Sequence, residues 1–133
     1  MRIRLAVAIS LLCLAVSVTP ISAHHSVEKQ YDVSNTIKIR GVVTRTEWRN
    51  PHSLVFVDAR NNDGTVSSWE LELPAPNTLI KENLTKDFVK QGDSVTVDLW
   101  RAKDGSTFAH ALTLTTADGR IMNFPRTWPP TPK

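Results

Sequence analysis

Residues 36–58, Thr-Ile-Lys-Ile-Arg-Gly-Val-Val-Thr-Arg-Thr-Glu-Trp-Arg-Asn-Pro-His-Ser-Leu-Val-Phe-Val-Asp, constrain the fold more than any other stretch. Period-two alternation puts Ile37, Ile39 and Val43 on one face and Lys38 and Arg40 on the other, the pattern of a half-buried strand. Gly41 falls in mid-strand, where a missing side chain marks a bulge or a sharp bend. A small barrel needs such a bend to close. Beyond it the register is ambiguous, because Val42 and Val43 are adjacent. Asn50-Pro51 makes a tight corner, and Leu54-Val55-Phe56-Val57 reads as a second strand, covered on both faces and paired back onto the first.

The remaining elements follow from alternation and punctuation. Asn61-Asn62-Asp63-Gly64 is a turn, and residues 66–73 alternate as a third strand, with Trp69, Leu71 and Leu73 inward and Ser68, Glu70 and Glu72 outward. Pro74 and Pro76 end that strand, since proline cannot continue a ladder. Asn77 is placed to cap a short helix with Leu79, Ile80 and Leu84 inward, and Thr85 opens a second helical turn through Phe88 and Val89, closed by Gly92. Residues 94–100 form a fourth strand and residues 107–115 a fifth, joined by a Lys103-Asp104-Gly105-Ser106 turn, with Phe108, Leu112 and Leu114 inward. A short extended segment, residues 121–124, follows the turn at Ala117-Asp118-Gly119-Arg120. Three strands, one helix and two strands is the element order of an OB-fold, a partly open five-stranded barrel. The expected fold is therefore mainly β: a small five-stranded OB-fold-like barrel with one short helix between strands 3 and 4. A plain β-sandwich is the alternative, disfavoured by a single helix in that position.

Arg2 and Arg4 precede an apolar run over residues 5–18, then Thr19-Pro20-Ile21-Ser22-Ala23. This is the layout of a secretory signal peptide with a cut after Ala23. The run falls short of the roughly 20 residues a spanning helix requires, so no membrane span is expected after cleavage. The expected organisation is a signal peptide (1–23), a lead-in (24–35), the barrel domain (36–124) and a proline-rich tail (125–133), in a periplasmic or secreted protein. Cleavage removes Cys13, the only cysteine, and with it any disulfide, thiolate nucleophile or thiolate metal site. Removing Arg2 and Arg4 from the 16 basic residues leaves 14 against 13 acidic ones, a net charge of +1. Export, near-neutrality and interspersed signs argue against nucleic acid as a partner.

Several short motifs occur in a fixed order: Ala23-His24-His25-Ser26, Gly41-Val42-Val43, Glu47-Trp48-Arg49-Asn50-Pro51-His52, Pro76-Asn77, Gly92-Asp93-Ser94-Val95-Thr96-Val97, Arg101-Ala102-Lys103-Asp104-Gly105-Ser106 and Asp118-Gly119-Arg120. Together they resemble a secreted bacterial domain family of unknown function, DUF 6152, along nearly the whole chain after residue 23. The His pair and the Trp-x-Asn-Pro-His corner are the most specific pieces. The resemblance implies an exported small β-domain and supplies no mechanism. It also gives His110 no required role.

The chemistry that can be read lies in the histidines. Cleavage after Ala23 would give His24 a free α-amine beside its own imidazole, a chelating pair that one further imidazole would complete as a T-shaped nitrogen set. The arrangement is similar to the histidine brace of copper monooxygenases and periplasmic copper carriers, and copper is the divalent metal that such nitrogen sites favour. The candidate metal ligands are His24, His25 and His52. The plain alternative is a polar lead-in and a corner histidine bonded to a loop carbonyl. His110 shares parity with Phe108 and Leu112 and reads as an inward or rim histidine. Glu70 and Glu72 read as a solvated strand face rather than an acid–base pair, which would need two different environments. Trp48, Asn50 and Trp100, near the first corner or on outward positions, are candidates for a ligand-stacking platform; packing beneath the helix or tail is the alternative for the two tryptophans. No serine elbow, phosphate loop or His-Glu-x-x-His helix is present. The preferred reading is an exported binding or accessory module, whose partner is a metal, a small ligand or a periplasmic protein. A metal-dependent redox or hydrolytic enzyme at the same histidines is one alternative, and an interaction module without metal is another.

Overall fold

The computed structural model describes residues 27–126; the segment expected to be a signal peptide, His24, His25 and Trp128 lie outside them. Among the described residues the chain is mainly β, with two short helices and six strands: α1 (Val27–Gln30), β1 (Tyr31–Glu47), β2 (Ser53–Arg60), β3 (Val66–Leu73), α2 (Pro76–Lys81), β4 (Ser94–Ala102), β5 (Phe108–Thr116) and β6 (Ile121–Asn123). The sheet order is β3-β2-β1-β4-β5-β6, and β3 also pairs with β5. That added pairing, parallel and short (Glu70 with Phe108, Leu71 with Ala109, Glu72 with His110), joins five strands in a ring. All other pairings are antiparallel.

The ring encloses the main core. Val43, Val55, Val57, Leu71, Leu73, Val97, Leu99, Ala109, Ala111 and Leu114 are among its buried residues, with Leu79, Phe88 and Val89 from the β3–β4 connection. Trp69 joins this core as the alternation of β3 requires. The turn at Gly64 also matches expectation: its φ of 86° lies in the left-handed region that glycine enters at little cost. The helix departs from expectation. Ala75, not Asn77, stands at its N-cap, and Pro76 opens it, where a missing N–H costs nothing. The turn expected from Thr85 is present, Phe88 N–H donating to Thr85 O at 3.0 Å, whereas Ile80, expected inward, is exposed while Leu79 is buried.

Two bulges set which side chains face the core. β1 carries an extra residue, Thr44, between Val43 and Arg45. An added residue reverses the alternation beyond it, so Trp48 packs against the core and its ring meets Phe88 at 6.2 Å. Gly41, expected to mark a bulge or a sharp bend, carries no bulge: it is paired regularly on both sides, with Ala59 and with Val95. In β5 the pairing jumps from Thr113 to Ala111, leaving Leu112 as the extra residue. Leu114 therefore faces the core from one side of the bulge and Ala109 and Ala111 from the other. Phe108, His110 and Leu112 are thrown to the outside of the ring, which corrects the expected inward placement of Phe108 and Leu112.

That outer face is covered by an early segment of the chain. Val27 and Tyr31 pack with Trp100, Ala102 and Leu112 in a second buried cluster, with Phe108 against it. The lead-in is thus part of the fold: β1 starts at Tyr31, and Tyr31 pairs with Ala102 before a wide excursion rejoins the ladder at Thr36. Lys103 fastens the same segment, its N–H donating to Gln30 O at 2.9 Å and its Nζ to Glu28 O at 2.8 Å.

Candidate functional site

Three strand pairings build the floor of a polar cluster beneath this cover. Leu54 pairs with Glu72, Glu72 with His110, and His110 with Trp100, so residues of β2, β3, β5 and β4 stand side by side on one face. His52 lies just before β2, after the Asn50–Pro51 peptide, which is cis. Tyr31 comes down from the start of β1. Glu72 is at the centre. Its Oε1 is bonded by His52 Nδ1, its Oε2 accepts from the Tyr31 hydroxyl, and His110 Nδ1 faces Oε2 at 4.0 Å.

Glu72 is 8% exposed and His110 is fully buried, which corrects the reading of Glu72 as part of a solvated face. Parity placed it outside the ring correctly; Tyr31, distant in sequence, lies on it there. The ring of His110 stacks on Trp100 at 5.8 Å with 18° between planes, and it meets Tyr31 at 5.4 Å. Its Nε2 lies 3.1 Å from the Pro125 carbonyl. A carbonyl can only accept, so Nε2 donates to it, and Nδ1 is turned toward the carboxylate. Arg126 stands 5.5 Å over the Trp100 ring, so both ends of the described chain converge here.

Burial is the largest influence on the Glu72 carboxyl and raises its pKa. Hydrogen bonds from His110 and Tyr31, then the charges of His52 and His110, together outweigh burial and hold the carboxyl below its ordinary value of 4.5. Tyr31 moves the other way. Burial first, then its bond to Glu72 and the charges of Glu72 and Glu70, push the phenol far above its usual range, so it stays a neutral donor. A carboxylate with a lowered folded-state pKa stabilises the fold above its unfolded value, and that stability is lost as pH falls through the folded value. The urea midpoint of the wild type is therefore expected to fall as pH drops below about 4.5, and to fall less in Glu72→Gln. Denaturation titrations from pH 6 to pH 3 on both proteins check this; parallel curves would contradict it.

The structure unites two of the expected site residues. His52 and Trp100 join the cluster, the first with its side chain 34% exposed at the rim, the second buried against His110. Trp48 faces the core and Asn50 is exposed at the corner, so neither adjoins Trp100 in this cluster. Sequence reasoning missed Glu72, His110 and Tyr31 as one group. The available signal was Trp100, whose outward parity beside the inward Val95, Val97 and Leu99 demands a cover. Among the described residues no group of three or more His, Cys, Asp or Glu side chains could hold a metal ion. No described helix is long and apolar enough to cross a membrane.

Residues 10–111 match the model of a family of unknown function, DUF6152. The chain is a member of DUF6152. No curated protein and no solved structure matches it. The DUF6152 match takes in Tyr31, His52, Glu72, Trp100 and His110, the whole polar cluster, and stops within β5.

Proposed function

We propose that this DUF6152 protein is an exported accessory module that binds a divalent metal at its processed N-terminus, with copper the metal suited to its nitrogen ligands. Signal cleavage after Ala23 exposes the amine and imidazole of His24, and His52 supplies the further imidazole, with His25 as the other candidate. The five-stranded ring with its intervening helix serves as an OB-type barrel that carries this site. The observation supporting the reading is the contact of Glu72 with His52 Nδ1. A carboxylate that receives Nδ1–H leaves the lone pair on Nε2 and fixes the ring plane, as outer-shell carboxylates do for metal-ligating histidines. Val27, buried against the same outer face, lies three residues after His24. Three residues of chain reach at most about 10 Å.

The test uses exported protein whose first residue has been fixed by mass spectrometry. Cu(II) is expected to give an electron paramagnetic resonance spectrum with nitrogen couplings, and affinity is expected to fall at least roughly tenfold in His52→Ala or with one residue added before His24. Binding weakens as pH falls, because the terminal amine (ordinary pKa about 8) must lose its proton. Equal binding by extended and native termini overturns the proposal. The His52–Glu72 pair also favours one second reading, a metal-dependent redox or hydrolytic enzyme in which His52 moves a proton. Turnover by copper-loaded protein with a reductant, or of a hydrolysable ester, separates the two.

A further inference from the structure

On another part of the ring, β1 parts from β2. The two strands pair from Gly41 onward, whereas residues 36–40 pair with β4 alone. Between this length of β1 and the end of β2 lies a cleft of about 520 Å³. Ile37, Ile39, Ala59 and Trp69, all belonging to or packed against the main core, line it together with Arg40 and Arg60. The indole N–H of Trp69 is buried without an acceptor.

The charge of this cleft has one sign. Lys38 also lines it and is compensated by Asp98 at 3.2 Å, outside the cleft lining. Arg40 and Arg60 are exposed, and neither has a carboxylate partner among the described residues. Arg60 donates to the Gly64 carbonyl, at 3.4 Å. No aspartate or glutamate lines the cleft among the described residues. A strand segment with a neighbour on one side offers main-chain groups on the other, and an apolar floor accepts every second side chain of an added strand. A basic rim selects acidic residues at the alternate positions.

We propose that the cleft beside residues 36–40 is a docking site for an extended acidic segment of a partner polypeptide, which adds to β1 as a strand. Its alternate apolar side chains lie on Ile37, Ile39 and Trp69, and its carboxylates meet Arg40 and Arg60. The site is separate from the histidine cluster, so it stands or falls independently of metal binding.

The experiment is run on metal-free full-length processed protein, with a short acetylated peptide alternating glutamate and valine as the probe, followed by calorimetry and by backbone amide shifts. Saturable binding is expected, with the largest shifts at Lys38 and Arg40. Dissociation constants are expected to rise roughly tenfold in the Arg40→Glu, Arg60→Glu double variant, and binding is expected to vanish when alternate peptide nitrogens are methylated. Both arginines are exposed, so circular dichroism and the urea midpoint of the double variant should match the wild type. A lysine–valine peptide binding as tightly, a methylated peptide binding unchanged, or no saturation up to millimolar peptide would each overturn the proposal.

Discussion

Glu72→Ala is expected to lower the unfolding free energy at pH 7 by about 3 kcal/mol, within the range for removing one partner of a buried charged network. Glu72 is 8% exposed, so its deletion opens a space that the surrounding strands cannot fill without breaking the β2–β3 and β3–β5 ladders. The larger cost comes from the groups it leaves. The Tyr31 hydroxyl loses its carboxylate acceptor on a side chain only 1% exposed. An unmet buried donor costs about 1–3 kcal/mol. His110, fully buried, loses the charge it faces. Water entering past His52, a third exposed, offsets part of this, which keeps the loss near the lower end of that range. Glu72→Gln preserves shape and one acceptor and is expected to cost about half as much. Tyr31→Phe removes donor and demand together and should cost about 1 kcal/mol. Because the two residues share one bond, the Tyr31→Phe, Glu72→Ala double variant should lose less than the sum of the singles. Urea denaturation of the four proteins measures all of this. A Glu72→Ala loss below about 1 kcal/mol, typical of exposed pairs, would mean the cluster is solvated in solution.

The sequence makes the elements legible wherever alternation and punctuation agree. β3 is bounded by Gly64 and Pro74, and its face bearing Trp69, Leu71 and Leu73 is the core face observed. What could not be read was decided by tertiary geometry. A bulge adds a residue without any composition of its own, so Thr44 and Leu112 look like ordinary strand residues, yet they turn Trp48 inward and Phe108 outward. The site is subject to the same limit. His52 stands out because it follows Pro51, whereas Glu72 looks like any outward strand carboxylate. The residue that meets it there is Tyr31, 41 positions earlier, in a lead-in that shows no periodic signal at that length. Short-range patterns report which face a residue occupies. They do not report what covers that face.

Gly41→Ala should be still more disruptive for its size, with an expected loss of about 3 kcal/mol or more from overpacking against fixed backbone. The usual reason for a glycine does not apply, because Gly41 is not among the residues with positive φ. In an open strand, alanine there would be favoured by roughly 0.5–1 kcal/mol through lower unfolded-state entropy. Space decides otherwise. A Cβ built on Gly41 would collide with the Asp58 carbonyl oxygen, and it would lie 2.7 Å from Val57 Cγ1 and 2.8 Å from the Asp58 carbonyl carbon. Rotating the Val57 side chain could relieve one contact, but the others are main chain. That main chain is held by β1 through Val42 and by β3 through Ser68, while Gly41 is itself paired to Ala59 and Val95. Neither strand can retreat without opening the ring where β1 changes partners, so the same substitution should also alter the cleft beside residues 36–40. Gly64→Ala is the control: nothing lies within 4 Å of the place its new methyl group would take, and only the left-handed backbone is penalised, by about 1 kcal/mol. Chemical denaturation of both variants discriminates the two causes. If Gly41→Ala cost no more than Gly64→Ala, the close approach of β1 to β2 would be wrong, because a real methyl group cannot share that volume with a carbonyl.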